Sequence, residues 1–498
     1  MYTHTPGTDE EGVRGYNFLP CDRDQLFLLP PALQEWLPEG DLAWFILDAV
    51  AQMDLTKIER AYRADGWGQA AYQPAMMVAL LLYAYCLGER PSRRIERLCE
   101  RDVAFRVLAA NQRPDHATIT RFRQTHEAAL AALFTPVLTR CAAAGLVKVG
   151  VVALDGTKIK ADAAEDRLYG PEQRGDELPE ALRDRTSRLA RLKACQERLE
   201  REATEAVAQQ QAKIEARQAE EAATGQKKRG RKPQAAEAAA EATAKANVTD
   251  PESRIMKTQA GYVQGYNAQA VVTEAQISVA AAVTQEENDI HQLHPMLTQA
   301  QENLHAIEHP QAITTALADA GYCRAANLKE ADPAGPALLI APNKDWKQRK
   351  VLREQPPPRG RCPKGLTARD RMERMVLTKR GRHLYKKRGQ TVEPVFGQIK
   401  SARGCDRFLR RGKAACDREW KVLCTTHNLL KLWRSGKAIW TGRRRGSEPR
   451  RLGWGSGKKT RGCPSRRPRP LAGSAARGLE GSTTKPVWRQ LDLRVGDN

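Results

Sequence analysis

Three acidic residues of this chain could act together, although they lie far apart in the sequence. Asp155 and Asp319 each stand at the end of a short apolar run and have a glycine within two residues, and Glu393 lies in a basic segment. Carboxylates are the preferred ligands of hard divalent cations, and two such cations about 3.5 to 4 Å apart can stabilise a phosphodiester transition state and activate a nucleophile. The residue types therefore permit metal-dependent phosphodiester chemistry, with Asp155 bridging both metals and Asp319 and Glu393 each completing one side.

The segment around Glu393 reads YKKRGQTVEPVFGQIK and spans residues 385–400. Pro394 fits only the first turn of a helix, so we predict a helix that begins near Thr391 and carries Glu393 and Lys400 on one face. Cationic side chains beside the acid suit the phosphates that flank a scissile bond, which makes Arg388 and Lys400 candidates for that role. A lone glutamate in a basic segment more often belongs to a solvated helix, and only the two aspartates favour a functional role.

The two aspartates are expected at the carboxyl ends of buried strands. VKVGVVAL before Asp155 and AITTALA before Asp319 are short and rich in apolar or β-branched residues, as buried strands are. Either aspartate alone could be a structural cap of the following turn. Their order along the chain, together with Glu393 on a helix, favours the catalytic interpretation.

The middle of the chain predicts a mixed sheet with flanking helices. Strand patterns occur at 261–273 and 277–284, which form a predicted hairpin, and again in PALLIAP, while helical patterns occur at 291–307 and 325–331. Helical patterns return after Lys400, in SARGCDRFLRRGKAA and in REWKVLCTTHNLLKLW, where we interpret His427 and Asn428 as packing residues. This order predicts a mixed α/β fold.

Residues 18–145 predict an all-α N-terminal domain. Residues 92–109 and the segment PDHATITRFRQTHEAAL form a predicted helix, turn and helix, with Pro114 and Asp115 as the start signal of the second helix. A helix-turn-helix that reads DNA would place Arg121 and Arg123 on its second helix. A plain helical hairpin explains the same pattern equally well.

Four further boundaries follow from composition. Residues 1–17 are a predicted flexible leader, and 146–435 form the predicted catalytic domain, interrupted at about 165–250 by a helical insertion with a loose heptad typical of a coiled coil. KKRGRKP at 227–233 is read as a solvated linker more readily than as a minor-groove hook. Residues 436–498 are rich in Arg, Gly, Pro and Ser, which predicts a basic disordered tail.

The charge balance points to a polyanionic partner. The net charge is +23 and the pI is near 9.7, although residues 436–498 contribute +12 of that charge. The eleven cysteines form no CxxC pair and no zinc-finger spacing, and the chain has no Walker A loop, GxSxG elbow or HExxH motif. With no apolar signal core at the N-terminus, we expect a cytoplasmic, nucleoid-associated protein.

A series of motifs carries a resemblance to a known family. In order, they are RPDHATITRFR, ALDGTKIKADA, KKRGRKP, DPESRIMK, GYVQGYNAQAVV, ENDIHQLHPML, ALADAGY, VEPVFGQIK and HNLLKLW. Together they resemble the DDE transposases of bacterial insertion sequences, in the branch with a Tyr-Arg-Glu-Lys signature. The resemblance covers about residues 18–433.

The resemblance implies a ribonuclease H-like catalytic core and a Mg²⁺-dependent reaction, with two ions and with Mn²⁺ as a possible substitute. The protein would bind the terminal inverted repeats of its element, cleave the DNA strands there and join the ends to target DNA, as a homodimer in the end-paired complex. Position by position, Asp155, Asp319 and Glu393 match the catalytic triad, while Tyr385, Arg388 and Lys400 match the rest of the signature. Four residues separate Arg388 from Glu393, where the signature usually has three.

Two other functions fit part of the sequence. A transposase-derived DNA-binding protein without catalysis would share the basic character, but the intact triad argues against it. A basic coiled-coil scaffold without sequence specificity would share the charge and the insertion, but the strand-rich middle of the chain argues against that alternative. An active transposase is therefore the leading hypothesis.

Overall fold

The computed structural model describes residues 35–62, 71–162, 185–225, 249–258, 261–330 and 335–437, together with residues 235 and 247. The predicted leader at 1–17, the motif at 227–233, most of the insertion outside 185–225 and the tail beyond residue 437 lie outside the described residues. Among the described residues, no helix is both long enough and apolar enough to cross a membrane.

The first part of the chain is helical, and the second part contains both strands and helices. The helices are α1 (Leu42–Ala51), α2 (Thr56–Glu59), α3 (Pro74–Leu87), α4 (Ser92–Arg101), α5 (Val103–Leu108), α6 (His116–Thr125), α7 (Glu127–Ala132), α8 (Phe134–Ala143), α9 (Arg185–Thr224), α10 (Leu293–Ala306), α11 (Ala325–Lys329), α12 (Asp345–Glu354), α13 (Ala368–Leu377), α14 (Lys379–Thr391), α15 (Glu393–Gly397) and α16 (Lys413–Arg434). The strands are β1 (Val151–Lys160), β2 (Arg254–Thr258), β3 (Gly261–Thr273), β4 (Ser278–Thr284), β5 (Thr315–Ala318) and β6 (Ala337–Ile340). The predicted mixed α/β fold with a helical N-terminal region is confirmed.

Within the described residues the six strands form one mixed sheet. β3 pairs antiparallel with β1 along one edge and with β2 and β4 along the other, while β1, β5 and β6 run parallel. The bounds of β3 are those predicted from its alternation of apolar and polar residues. β2, by contrast, was not predicted, because RIMKT is short and too polar to show a strand pattern on its own.

Asp155 lies in the middle of β1, so the prediction that it ends a strand is wrong. β1 pairs with parallel β5 only through residues 151–153, but it stays paired with β3 as far as Lys160. The long partner β3 therefore keeps the backbone extended past Asp155. The aspartate consequently stands where the parallel neighbour ends, beside the carboxyl end of β5.

The helical region and the sheet share one hydrophobic core, which α16 joins. Arg90, just after α3, forms an ion pair with Glu419 of α16 at 3.0 Å, and both side chains are almost fully buried. The other oxygen of Glu419 accepts hydrogen bonds from the backbone N–H groups of Leu409 and Arg410 at 2.9 and 3.1 Å. Because a buried charge is costly unless it is paired and hydrogen-bonded, this arrangement holds α16 against the helical region.

The predicted helix at 92–109 is two helices. Asp102 has an extended backbone conformation between α4 and α5, and its side chain accepts a hydrogen bond from Phe105 N, which caps the start of α5. The predicted start signal of the next helix is confirmed, because Asp115 caps α6 by accepting from Thr118 N at 2.8 Å.

The helix predicted to begin near Thr391 is α15, which begins at Glu393 with Pro394 in its first turn. The preceding helix, α14, was not predicted, and Val392 separates it from α15. A π-helical turn at Gln398–Ala402 follows, so Lys400 lies outside the regular helix. Pro394 has no N–H for the carbonyl four residues earlier, and that carbonyl, on Gln390, accepts from Gln276 Nε2 at 3.1 Å. A contact with the β3–β4 turn therefore supplies the hydrogen bond that the proline cannot give.

The helix predicted in SARGCDRFLRRGKAA is absent from the described structure. Gly404 and Gly412 have positive φ angles of 63° and 84°, and the segment between them runs beside the end of β1. Asp406 O accepts from Lys160 N at 2.9 Å, and Phe408 N donates to Lys160 O at 2.8 Å. This segment therefore completes the sheet edge beside β1 rather than forming a helix.

Of the predicted insertion, the structure describes α9, a helix of 40 residues. Leu189 and Leu192 of the predicted heptad are 50% and 44% exposed, so no described partner helix covers them. The coiled coil stays a prediction.

Gly88 supplies a test of the close approach between α3 and Arg403, which follows the π-helical turn. It ends α3 with φ of +83°, and a Cβ at this position would lie 2.0 Å from Arg403 O. Gly88→Ala should therefore lower the free energy of unfolding by clearly more than the roughly 1–2 kcal/mol expected for a left-handed backbone conformation alone. Urea denaturation measures the difference.

The matched control is Gly145→Ala, because Gly145 has φ of +68° and no atom within 4 Å of the added Cβ. It should show only the cost of the left-handed conformation. Equal losses for the two variants would show that Gly88 is not constrained by Arg403.

Candidate functional site

The three predicted acids converge on one guanidinium group. Arg388 donates from Nη2 to Asp155 Oδ2 at 2.8 Å, and the same nitrogen lies 4.0 Å from Asp319 Oδ2. Its other terminal nitrogen, Nη1, lies 3.5 Å from Glu393 Oε1. Arg388 on α14 thus brings together an acid from β1, one from the end of β5 and one from α15, despite the additional residue between Arg388 and Glu393.

The site opens from the sheet toward solvent. The side chain of Arg388 is 6% exposed and that of Asp155 is 15% exposed, whereas those of Asp319 and Glu393 are 34% and 51% exposed. Burial raises the pKa of the Asp155 carboxyl to about 7, against the opposing effect of Arg388, and the negative charge of Asp319 adds to the increase. Asp155 is therefore the member whose negative charge depends most on a nearby cation.

Asp319 is held by its own turn. It follows β5 directly, and its Oδ1 accepts from Gly321 N at 2.8 Å, which caps the short 3₁₀ turn Ala320–Tyr322. A Cβ at Gly321 would lie 2.9 Å from Asp319 Oδ1 and 3.4 Å from Asp289 Oδ2. A side chain at this position would therefore require the Asp319 carboxylate to shift.

A buried chain of hydrogen bonds links this turn to β3 and to Asp289. Burial raises the pKa of Tyr322 well above its ordinary value, so its hydroxyl stays protonated and donates to Gln269 Oε1 at 2.5 Å. The Gln269 amide must then present Nε2 on its other side, where it donates to Asp289 Oδ1 at 2.7 Å. We call Tyr322, Gln269 and Asp289 the buried relay.

Two neighbours fix Asp289 further. Asn267 donates to Asp289 Oδ1 at 2.7 Å, and Lys158 Nζ lies 3.8 Å from the same oxygen. Gln269 is paired with Gly156 in the β1–β3 register, and a Cβ at Gly156 would lie 2.2 Å from Gln269 Nε2 and 2.6 Å from Asp289 Oδ1. The buried relay thus runs from the turn after Asp319 to the residue beside Asp155.

Sequence reasoning missed the buried relay. Its members stand in the segments GYNAQAVV, ENDIHQLHPML and ALADAGY, yet they were assigned no role. An available signal was the pair Asn267 and Gln269, two amides on one face of an otherwise apolar strand, because buried amides need hydrogen-bond partners. Nothing in the sequence identifies Asp289 as that partner.

The other signature residues, Lys400 and Tyr385, are held within the protein. Lys400 Nζ donates to Thr157 Oγ1 at 3.0 Å and to Lys158 O at 2.8 Å, and burial lowers its pKa. Tyr385 is buried on α14, one turn before Arg388. That these residues and Arg388 contact phosphates stays a prediction.

The two arginines of the predicted DNA-reading helix differ in position. Arg121 is exposed on α6, but Arg123 is 9% exposed and donates to Arg90 O at 2.9 Å and to Ser92 Oγ at 3.2 Å. With its guanidinium 5.6 Å from the centre of the Tyr85 ring, Arg123 packs within the hairpin. Both arginines lie on the predicted helix, but Arg121 alone of the two is exposed, and contact of either with DNA stays a prediction.

His427 and Asn428 are packing residues, as predicted. His427 Nε2 is 2.9 Å from Gln276 O, and burial lowers the pKa of its imidazole to about 3. Asn428 Nδ2 donates to Ser278 O at 2.9 Å while its Oδ1 accepts from Ser278 N at 2.9 Å. The pair therefore binds α16 to the start of β4.

The donor set suits a hard divalent cation, since carboxylates from three elements face one another at the edge of the sheet. Within the described residues, however, no three His, Cys, Asp or Glu side chains are grouped closely enough to enclose a metal ion as they stand. The Arg388 guanidinium lies among the three acids, so a metal would share these carboxylates with Arg388.

Tyr322→Phe tests the buried relay. It removes the donor to Gln269 Oε1 and leaves a buried acceptor without that partner, which should lower the free energy of unfolding by about 1–3 kcal/mol. Tyr262→Phe is the matched control, because Tyr262 stands on the same sheet, in β3, and is 72% exposed. Urea denaturation of both variants measures the effect, and an unchanged stability of Tyr322→Phe would contradict the assigned hydrogen bond.

Comparison with known proteins identifies the family of the chain. Residues 31–125 match a transposase domain (DUF772), and residues 150–429, more than half of the chain, match the family described as the transposase DDE domain. No curated protein matches the chain. No solved structure matches it either. On the match at 150–429, which contains Asp155, Asp319 and Glu393, the chain belongs to the DDE transposase family of insertion sequences.

Proposed function

We propose that this protein is an active transposase that binds the terminal inverted repeats of its insertion sequence, cleaves the DNA strands there and transfers them to target DNA. The observation that carries the proposal is the convergence of Asp155, Asp319 and Glu393 on Arg388, with Asp155 Oδ2 bound at 2.8 Å. Three carboxylates gathered around one buried cation are costly for stability alone. Their placement in a DDE transposase supports a catalytic role.

We further propose that the catalytic part has a ribonuclease H-like fold. Three antiparallel strands, β4, β3 and β1, are followed by the parallel strands β5 and β6, and helices α10 and α11 connect the later strands. This order puts Asp155 on the central strand β1 and Asp319 directly after its parallel neighbour β5. The arrangement supports the fold that the family resemblance implies.

Members of the family typically use a divalent metal, and we propose Mg²⁺, as two ions that Mn²⁺ can replace. Asp155, Asp319 and Glu393 would hold the ions, which would neutralise the developing charge of the phosphodiester transition state and activate the attacking oxygen. Gly156 N–H donates to Asp155 Oδ1 at 2.9 Å and orients this carboxylate. The Gly321 N–H group orients Asp319 in the same manner.

The proposed partners are the two DNA ends, the target DNA and a second subunit in the end-paired complex. The helical region at 31–125 is the proposed DNA-binding part, with Arg121 exposed on α6. A catalytically silent DNA-binding descendant is the second candidate. It is disfavoured because the three acids remain together in the fold.

Removal of single acids tests catalysis. Asp155→Asn, Asp319→Asn and Glu393→Gln should each reduce Mg²⁺-dependent cleavage of inverted-repeat DNA by about a thousandfold or more, because each loses charge stabilisation worth several kcal/mol. Binding of the same DNA should survive. Glu302→Gln, on the exposed surface of α10, is the control and should cleave normally. Full cleavage by any of the three variants would disprove the triad.

Arg388→Met tests the competition between Arg388 and metal. Without the guanidinium, Asp155 loses its buried partner, and we expect the metal-free variant to lose about 3–5 kcal/mol of stability. Added Mg²⁺ should then raise its melting temperature by more than it raises that of the wild type, since a ligand of the folded state stabilises it by mass action. Differential scanning calorimetry at several Mg²⁺ concentrations measures both effects.

Lys386→Met is the control for that experiment, because Lys386 is on the same helix but forms no ion pair with an acid among the described residues. Its response to Mg²⁺ should equal that of the wild type. An Arg388→Met response no larger than the control's would show that the guanidinium and the metal do not share the carboxylates.

A further inference from the structure

A cavity lies beside the acids on the far side of Arg388. It has a volume of about 370 Å³ and is formed by α12 and α14. Five of the residues that line it are arginine or lysine, and none is acidic. Like charges repel one another, so those of the five that have no counter-charge of their own favour an anion in the cavity.

Three of the five cations, Arg349, Arg382 and Arg388, are already engaged by the protein. Arg382 donates to Leu352 O at 2.7 Å and to Gln355 O at 2.5 Å, which ties the end of α12 to α14. Arg388 is directed toward the acids. These two side chains form the wall and the inner end of the cavity, and they are not available to bind a ligand without breaking those interactions.

Arg353 and Lys386 differ from them. Both side chains line the cavity from opposite helices, both residues are exposed, and neither forms an ion pair or a side-chain hydrogen bond with another described residue. Their charges are therefore available to an anion from solvent. Arginine and lysine together are a frequent combination for phosphate, one by paired hydrogen bonds and the other as a point charge.

The inner end of the cavity borders the candidate active site. Gly389 lines it, and a Cβ at Gly389 would lie 3.4 Å from Glu393 Oε1. Arg388, its neighbour in the lining, is bound to Asp155. An anion in the cavity would thus be adjacent to whatever phosphate the acids act upon.

We propose that this basic cavity binds a DNA backbone phosphate next to the scissile phosphodiester, with Arg353 and Lys386 as its ligands. The inference rests on the proposed function, because it takes the scissile phosphate to lie at the acids. It assigns to Arg353 and Lys386 the flanking-phosphate interaction that the signature suggested for Arg388. The cavity holds the backbone, so the interaction is independent of base sequence.

The experiment compares Arg353→Gln/Lys386→Gln with Lys148→Gln/Lys329→Gln, each made in an Asp155→Asn background so that DNA binding is measured without cleavage. Lys148 and Lys329 are exposed, form no ion pair among the described residues and lie outside the proposed DNA-binding region at 31–125; Lys148 precedes β1, and Lys329 ends α11. Binding of inverted-repeat duplex is measured over a range of salt concentrations. The slope of log binding constant against log salt should be shallower in the cavity variant, by about 0.9 for each phosphate that it no longer neutralises. The control variant should keep the slope of the parent protein.

A neutral methylphosphonate, placed in turn at single positions around the cleavage site, locates the phosphate. At one position next to the scissile bond, the methylphosphonate should weaken DNA binding by the parent protein. It should not weaken binding by the cavity variant any further, because the two changes remove the same interaction. Additive losses at every position, or equal salt dependence in the cavity and control variants, would overturn the proposal. Absence of DNA binding by the parent protein would overturn it as well.

Inorganic phosphate distinguishes a free anion from the DNA backbone. If phosphate raises the melting temperature of the parent but not of the cavity variant while DNA binding is equal, the cavity takes a free anion and the DNA assignment is wrong. Cleavage by the protein with an intact Asp155 is assayed separately. If the protein cleaves DNA normally but the cavity variant keeps the salt dependence of the parent, only this inference is disproved. If the salt dependence becomes shallower but the protein with intact Asp155 does not cleave DNA, only the catalytic function is disproved.

Discussion

The ion pair between Arg388 and Asp155 is the interaction on which the arrangement of the site depends. Asp155 is placed in the sheet by strand pairing, and burial makes its charge costly unless a cation lies nearby. Arg388 supplies that cation at 2.8 Å and reaches Asp319 and Glu393 as well. The same interaction therefore stabilises the folded chain and gathers the acids that a catalytic metal would need. The Arg388 guanidinium group therefore has a role both in stability and in the proposed chemistry.

The backbone around the acids is constrained by equally close packing. Gly156 leaves room for Asp289 and its amide partners, while a Cβ at Gly321 would lie 2.9 Å from Asp319 Oδ1, so a side chain at either position would displace its neighbours. The partners determine the hydrogen-bond directions in the buried relay. The protonated Tyr322 hydroxyl donates to the Gln269 carbonyl oxygen, which leaves the Gln269 amide nitrogen to donate to Asp289. The distance between Asp155 and the turn after Asp319 is thereby fixed from inside the sheet.

The charges around the site divide into two groups with different tasks. Arg388, Arg382 and Lys400 are held by acids or backbone carbonyls of the protein, so their contribution is to the shape of the site. Arg353 and Lys386 are exposed and unpaired among the described residues, and they face a cavity that combines positive charge with access to the acids. Charge alone, which was the first indication of a nucleic-acid partner, does not distinguish these groups.

The sequence by itself determined the elements that depend on local patterns. The bounds of β3, the placement of Asp319 directly after β5 and the cap at Asp115 all follow from periodicity and from side chains that bond to their own turns. The family motifs also identified the three acids. The tertiary structure alone decided which groups meet, because Arg388 and Asp155 are 233 residues apart and Asp289 joins two strands and a turn. It also decided that β1 continues past Asp155, since the partner strand β3 overrode the local signal, and that Gln276 supplies the hydrogen bond that Pro394 cannot give to Gln390 O.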